Sequence, residues 1–465
     1  LSLVTFRVSY PMNCLFRCAS SLQTIVSAGT SVGGCLGAAL WIAPAQAQPV
    51  PTTLAPGVTD TVITSPENNP DQYNITGGVL SEGSAPNLFH HFQQFDVGTN
   101  DTATFVVPGQ VENVINLIEN VNPARVNGTL GLTGADANLY LVSPGGVIFG
   151  PGAQLALPAD LTVTTADALL FDETQLAVVQ SGEGFNAAGL TGAPSGHVFT
   201  VLEPNGIENQ GALGLAANQS LTLLGGTVQN SGTITVPGGT VNLAAVPGGY
   251  TVRISRPGNL LSLEITPNAT DLEPFEPTPI GPETFDPTDL PGMLTGGESD
   301  SGSELVKNPD GSFSVITAVQ PETEGNGPNL SEVGTVVVQG AIDVSGTTGG
   351  DITLIGPRVA LIGATLTAEG TAAGGTIQVG SLPIEVMPDV STPANLETVF
   401  VYADRLTDIS TSGITPQSSG GLVYIWSSDT TQYYGQVTAA GEGGTVLIDG
   451  VERQPVTPRP ARPGR

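Results

Sequence analysis

The chain has 465 residues, with 42 Asp and Glu against 12 Lys and Arg, for a formal net charge of -30. Only 12% of the residues are charged, about half the roughly 25% of an ordinary globular protein. Such an acidic chain, with Lys307 as its single lysine, is repelled by a phosphate backbone, so nucleic acid is excluded as a partner. Glycine (61) and proline (37) are abundant but stay below the level at which aperiodic Gly/Pro content signals disorder.

In chain order, residues 1–47 stand apart. They hold all three cysteines (Cys14, Cys18, Cys35), no acidic residue, and two arginines, Arg7 and Arg17. An apolar run from Ile25 to Ile42 leads to Ala45-Gln46-Ala47. A basic start, an apolar stretch and an A-x-A site read as a secretory signal peptide with cleavage after Ala47. An uncleaved anchor and a lipoprotein signal at Val32–Cys35 are the alternatives. After cleavage the chain has no cysteine, and thus no disulfide, thiolate nucleophile or Cys-ligated metal.

Residues 48–85, rich in Pro and Thr, read as a leader segment. From Asn87 onward, β-rich runs of four to six residues alternate with Gly, Asn and Pro turns, among them Thr102–Val107, Asn138–Val142, Leu161–Thr165, Leu221–Leu224 and Thr240–Ala244. In Val111–Val121, Val111, Val114, Ile115 and Ile118 recur at helical spacing, so a short helix and a strand are both open there. Residues 268–330 are proline-rich and acidic and predict an extended insertion. From Val333 the pairs Gly349-Gly350, Gly374-Gly375, Gly420-Gly421 and Gly443-Gly444 follow strand-turn-strand units at a period of about 23–25, one recurrence being unmarked.

That period suits one coil of a parallel β-helix, three short strands joined by tight turns. About 15 coils at ~4.8 Å per rung would make a rod about 70 Å long. Thr, Ser, Asn and Gln on its outside account for the low charge fraction. The tail at 451–465, with its recurrent Pro and Arg, is read as unable to form strands.

A specific resemblance is carried by Asn87-Leu-Phe-His-His-Phe-Gln-Gln-Phe-Asp-Val-Gly98, Val114–Ile118, Asn122-Pro123, Val126-Asn127-Gly128-Thr-Leu130 and Ala137–Gly150. These blocks resemble the N-terminal secretion domain of the filamentous haemagglutinin family, the exported partner in two-partner secretion, in its cyanobacterial form. The later Val252–Ile265, Leu290–Gly297, Val359–Leu366 and Gly420–Gly435 are similar to it as well, so the resemblance covers about 85–450. It implies an all-β, right-handed parallel β-helix with an N-terminal cap and an extended acidic insertion. The implied division is a signal peptide (1–47), a leader (48–85), a secretion β-helix domain (86–267), the insertion (268–330), continuing coils (331–450) and a Pro/Arg tail (451–465).

The resemblance also implies export via the periplasm through an outer-membrane β-barrel transporter with periplasmic recognition modules. The product would be an extracellular or surface-attached adhesin, meeting a cell-surface glycan or protein receptor, with no cofactor. The residues so marked for partner recognition are Asn87, Phe89, Phe92, Phe95, Asn122, Pro123, Asn127, Gly128 and Ser143-Pro144-Gly145-Gly146-Val147. The family's N-P-N-L motif has no counterpart between Phe95 and Val111. Its N-P-N-G-I motif reads here as Ser143–Val147, keeping the Pro-Gly turn without the asparagines that would cap it.

Phe89, Phe92 and Phe95 admit two roles, a recognition strip or the closure of the first coil. Strict alternation along a flat strand would not place all three on one side. His90 and His91, with His197 the only other histidine, make a poor metal set, and no metal or catalytic residue is assigned. The rival reading is a β-helical polysaccharide lyase or glycoside hydrolase. Asp343, Asp351, Asp404 and Asp408 are its nearest acidic candidates, each also at home in a turn.

Overall fold

The computed structural model describes residues 53–83, 86–179, 185–254, 263–267, 304–307, 313–316, 333–381, 396–449 and 452–453. Every regular element among them is a β-strand, as Val-, Ile-, Leu- and Thr-rich runs cut by Gly, Pro and Asn dictate. The strands recur as three faces of a parallel β-helix. The first face stacks Asn87–Val97, Asn113–Ile118, Asn138–Val142, Leu161–Thr164, Ser220–Gly225, Thr240–Ala245, Asp351–Ile355, Thr376–Val379, Leu422–Trp426 and Thr445–Asp449, each parallel to the next.

The second face begins at Asp96–Val97 and Ala124–Val126 and runs to Thr430–Tyr433 and Glu452–Arg453. The third runs from Thr102–Val106 through Thr129–Thr133 and Gln154–Ala156, and then from Ala212–Gly214 to Gln436–Thr438. Because successive strands sit in register, apolar side chains form continuous interior columns. Val114, Leu139, Leu161, Leu221, Val241, Ile352, Ile377 and Val423 make one such column, all fully buried. Each of these aliphatic side chains contributes about 1.5–3 kcal/mol by leaving water.

The described first face has ten rungs, fewer than the 15 coils expected from length. At ~4.8 Å per rung they extend over about 45 Å. The residues not used for coils leave the helix in three excursions. Each departs after a first-face strand (Leu161–Thr164, Thr240–Ala245, Thr376–Val379) and returns at a second-face strand (Ile207–Asn209, Thr335–Val338, Phe400–Ala403). The third corrects the reading of the Gly-Gly period. Thr376 pairs directly with Leu422, so the long interval between Gly374 and Gly420 is one lengthened coil, with no unmarked coil inside it.

The first two excursions build a second sheet. Ala168–Phe171, Thr174–Ala177, Gly196–Phe199, Tyr250–Ile254 and Leu263–Pro267 pair antiparallel. This sheet and the loop after it cover the outer side of the first face. Leu169, Phe171, Leu176, Val178, Ala187 and Leu190 pack on Phe89, Ile115, Leu117 and Val142. Phe199, Tyr250 and Val252 pack with Leu224, Ala244 and Ile355.

Between the open alternatives at Val111–Val121 the structure places a strand, Asn113–Ile118, buried throughout. The reading of 48–85 as a leader is corrected, because Thr53–Pro56, Thr61–Thr64, Gln72–Gly77 and Val79–Leu80 are strands that close the N-terminal end. Within the tail, Glu452–Arg453 does pair as a strand with Thr430-Thr431. The signal region with Ala45 and Ala47, and the rest of the tail, lie outside the described residues. So does the acidic insertion, apart from an antiparallel pair, Glu304–Lys307 with Phe313–Ile316. No described helix is long and apolar enough to cross a membrane.

Candidate functional site

The residues marked for recognition fall in the first three coils, where the structure sorts them into a buried wall and two stacked corners. Phe89, Phe92 and Phe95 lie on one eleven-residue strand, and none reaches solvent. Phe89 faces outward, under the second sheet, with ring centroids 5.1 Å from Phe185 and 6.0 Å from Phe171. Phe92 and Phe95 both enter the interior, 5.1 Å apart edge to face.

Strict alternation forbids that pairing, and a bulge permits it. Ala55 opposes Gln94 and Pro56 opposes Phe92, so the strand carries an extra residue at Gln93. The same irregularity bends the strand from the first face (Asn87–Phe92) onto the second (Asp96–Val97). Phe95 then stacks parallel on Phe105 of the third face, 6.3 Å away. The aromatic cluster therefore fills the end of the solenoid, and its rings offer no strip to a partner.

Asn87 heads an asparagine ladder. Its Nδ2 donates to the carbonyls of Leu190 (2.9 Å) and Gly192 (2.7 Å), which pins the loop of the first excursion. Asn113 Nδ2 donates to Asn87 Oδ1, and Asn138 Nδ2 to Asn113 Oδ1, both at 2.9 Å. Each amide thus satisfies the next across one rung, as buried polar groups must be satisfied. Sequence reasoning missed Asn113 and Asn138, although their spacing from Asn87 by one coil each was a readable signal.

At the corner between first and second faces, Asn122 and Pro123 lie directly beneath Ser143–Val147. Gly146 N–H donates to Ser143 O at 2.9 Å, closing a turn with Ser first, Pro second and Gly last. Gly146 has φ +102°, and a Cβ on Gly145 would come within 2.2 Å of Asn120 O. A cap that the sequence lacks comes from the next rung, where Asn205 Nδ2 donates to Pro144 O at 2.7 Å, while the lower turn is capped locally, Asn120 Oδ1 accepting from Asn122 N at 3.0 Å. Asn205 was not singled out from sequence. Ser143 and Val147 are fully buried, whereas Val121 stands 85% exposed at the tip of the lower turn.

At the next corner Asn127 joins three rungs. Its Nδ2 donates to Thr99 Oγ1 (2.7 Å) and its Oδ1 accepts from Gly152 N (2.8 Å). Gly128 sits where a Cβ would strike the carbonyls of Asp101 and Gly98 at 2.2 and 2.4 Å. The marked residues therefore do not converge on one patch. Only the corner built from Asn122, Pro123 and Ser143–Val147 presents marked residues at a common edge.

Of the acidic candidates of the rival reading, Asp343, Asp351 and Asp404 serve local structure. Asp343 Oδ1 accepts from Ser345 N, and Asp404 Oδ1 accepts from the backbone N–H groups of Gly363, Leu406 and Thr407. Burial pushes the Asp351 carboxyl up, and hydrogen bonds from Thr376 pull it back. Asp408 stands exposed at the start of a third-face strand. Among the described residues, no three His, Cys, Asp or Glu side chains gather as a metal-ligand set.

A family model of the TPS secretion domain matches residues 47–273. No curated protein matches the chain. Among solved structures, it is similar to the HMW1 secretion domain from Haemophilus influenzae, with 15% identity, 87% of this chain and 96% of that one covered, and a TM-score of 0.40. It is also similar to a filamentous hemagglutinin secretion domain, with 12% identity, coverage of 85% and 99%, and a TM-score of 0.34. The matched span takes in the N-terminal strands, the first six rungs and both stretches of the antiparallel second sheet. Residues 47–273 are a TPS secretion domain.

Proposed function

We propose that this chain leaves the cytoplasm under the signal at 1–47, is cut after Ala47, and crosses the outer membrane through a dedicated β-barrel transporter. The transporter's periplasmic modules read the N-terminal coils, and the β-helix then works outside the cell or on its surface as an adhesin. The observation that carries this reading is the secretion-domain match over 47–273, which falls on the closed end of the helix. In the same proposal, 86–267 is the recognition unit, 268–330 an acidic insertion and 331–450 a continuing shaft.

Recognition is assigned to the corner of Asn122, Pro123 and Ser143–Val147, with Val121 at its tip, while the buried phenylalanines hold that corner in shape. In cells expressing the chain with and without its transporter, the extracellular fraction should carry it only when the transporter is present. Val121→Glu should lower that fraction severalfold while the circular dichroism of the purified chain stays unchanged. Export that continues without any transporter would overturn the reading.

A further inference from the structure

The strands that close the N-terminal end are fastened to the first coil by two adjacent histidines, both fully buried. Gly57 N–H donates to the His91 carbonyl at 2.7 Å, and Val58 N–H donates to His91 Nδ1 at 3.1 Å. The His91 main-chain N–H donates to Thr59 Oγ1 at 2.9 Å. Thr59 and Thr61 share a hydroxyl hydrogen bond of 2.8 Å, and Thr61 Oγ1 is 2.9 Å from His90 Nδ1. Segment 57–61 is thus buckled to His90-His91 by a continuous chain of polar contacts. The segment before it, Thr53–Pro56, covers the lower edge of the first rung at Phe92–Asp96.

This buckle holds only while both rings are neutral. Val58 N–H points at His91 Nδ1, so that nitrogen must be the acceptor. A proton there would set two donors against each other and break the bond. His90 is ringed by Phe92 and Phe105, and its Nε2 is buried without an acceptor among the described residues. A charge on it would be stranded in an apolar wall.

The charged side chain facing His91 is Glu119, with Oε2 3.3 Å from Nε2, and the Val178 carbonyl also faces the ring. Among the described contacts, no charged side chain faces His90. We propose that residues 53–61 form an acid-released strap, which lifts from the first coil when His90 and His91 take up protons and leaves the Phe92–Asp96 edge open to another strand. Burial lowers both imidazoles from the usual 6.5, His90 to about 4, in accord with a closed state that resists protonation. Glu119 partly opposes this for His91.

Hydrogen exchange on the full chain tests the proposal. Between pH 7 and pH 5, protection of amides in 53–61 should fall about tenfold relative to those of Asn113–Ile118, because the open state binds protons that the closed state excludes. His91→Asn keeps an acceptor for Val58 N–H but cannot be charged there, and it should blunt that fall. If His91→Asn already opens the strap at pH 7, Glu119→Gln provides the second arm. It should leave protection at pH 7 intact and deepen the loss at pH 5. Loss of protection in the strap and in Asn113–Ile118 together, or an unaltered acid response in both variants, would overturn the proposal.

Discussion

A histidine sealed in an apolar sheet is tolerated as a neutral ring and opposed as a cation. His197, paired between Leu169 and Val252 in the second sheet, is 2% exposed, and burial lowers it to about 4. Its folded value lies below the unfolded 6.5, so the unfolded chain binds the proton first. Stability is therefore complete above pH 6.5 and falls as pH drops toward 4, by about 3 kcal/mol for this one group. Thermal melts followed at pH 7 and pH 4.5 should show that decline, and His197→Gln should show a smaller one. At this scale the sequence was partly legible. The turn chemistry of Pro144, Gly145 and Gly146 was readable, whereas the shared interior of Phe92 and Phe95 depends on a bulge that no residue type announces.

Among the elements, the corner turns decide the register. Where one short turn sits on another, as Ser143–Val147 does on Asn120–Pro123, there is no room for a side chain, which the 2.2 Å approach at Gly145 shows. Gly145→Ala should lower unfolding stability by about 1–3 kcal/mol, measured by urea titration. Asn113→Ala should cost at least as much, because it leaves the amides of Asn87 and Asn138 each short of a buried partner. The uncertain element, Val111–Val121, shows why periodicity alone was not decisive. Val114 and Ile118 enter the interior, while Ile115 and Leu117 lie under the second sheet. A strand buried on both sides loses its alternation and mimics a helix. The antiparallel sheet that causes this is assembled from segments far apart in sequence, so nothing local foretells it.

For the whole molecule, stability should be distributed as a sum over neighbouring rungs, because interior columns run only from each coil to the next. Leu366→Ala, in a third-face strand between Ile342 and Ile409, should open the C-terminal coils first, at a cost of about 2–5 kcal/mol. Limited proteolysis should then leave an N-terminal fragment that keeps the second sheet. If the entire chain were digested at one rate, the coils would be a single cooperative unit. The solenoid class was legible from the glycine period, but the number of coils was not, because excursions consume chain length without adding rungs.

Those excursions all open at the same edge. Thr165 Oγ1 donates to Asn205 O at 2.8 Å, so the chain departs and re-enters on a single rung. The rungs on either side stay aligned, Leu161 on Leu221 and Val241 on Ile352, whatever lies between. The opposite corner, where Gly349-Gly350 and Gly374-Gly375 pack backbone to backbone, admits no such freedom. The fold thus has a spine that is closed to change and a seam that is open to it. Foreign segments whose two ends meet at the seam could be spliced in there, making this β-helix a carrier on which passenger loops are displayed at alternate rungs.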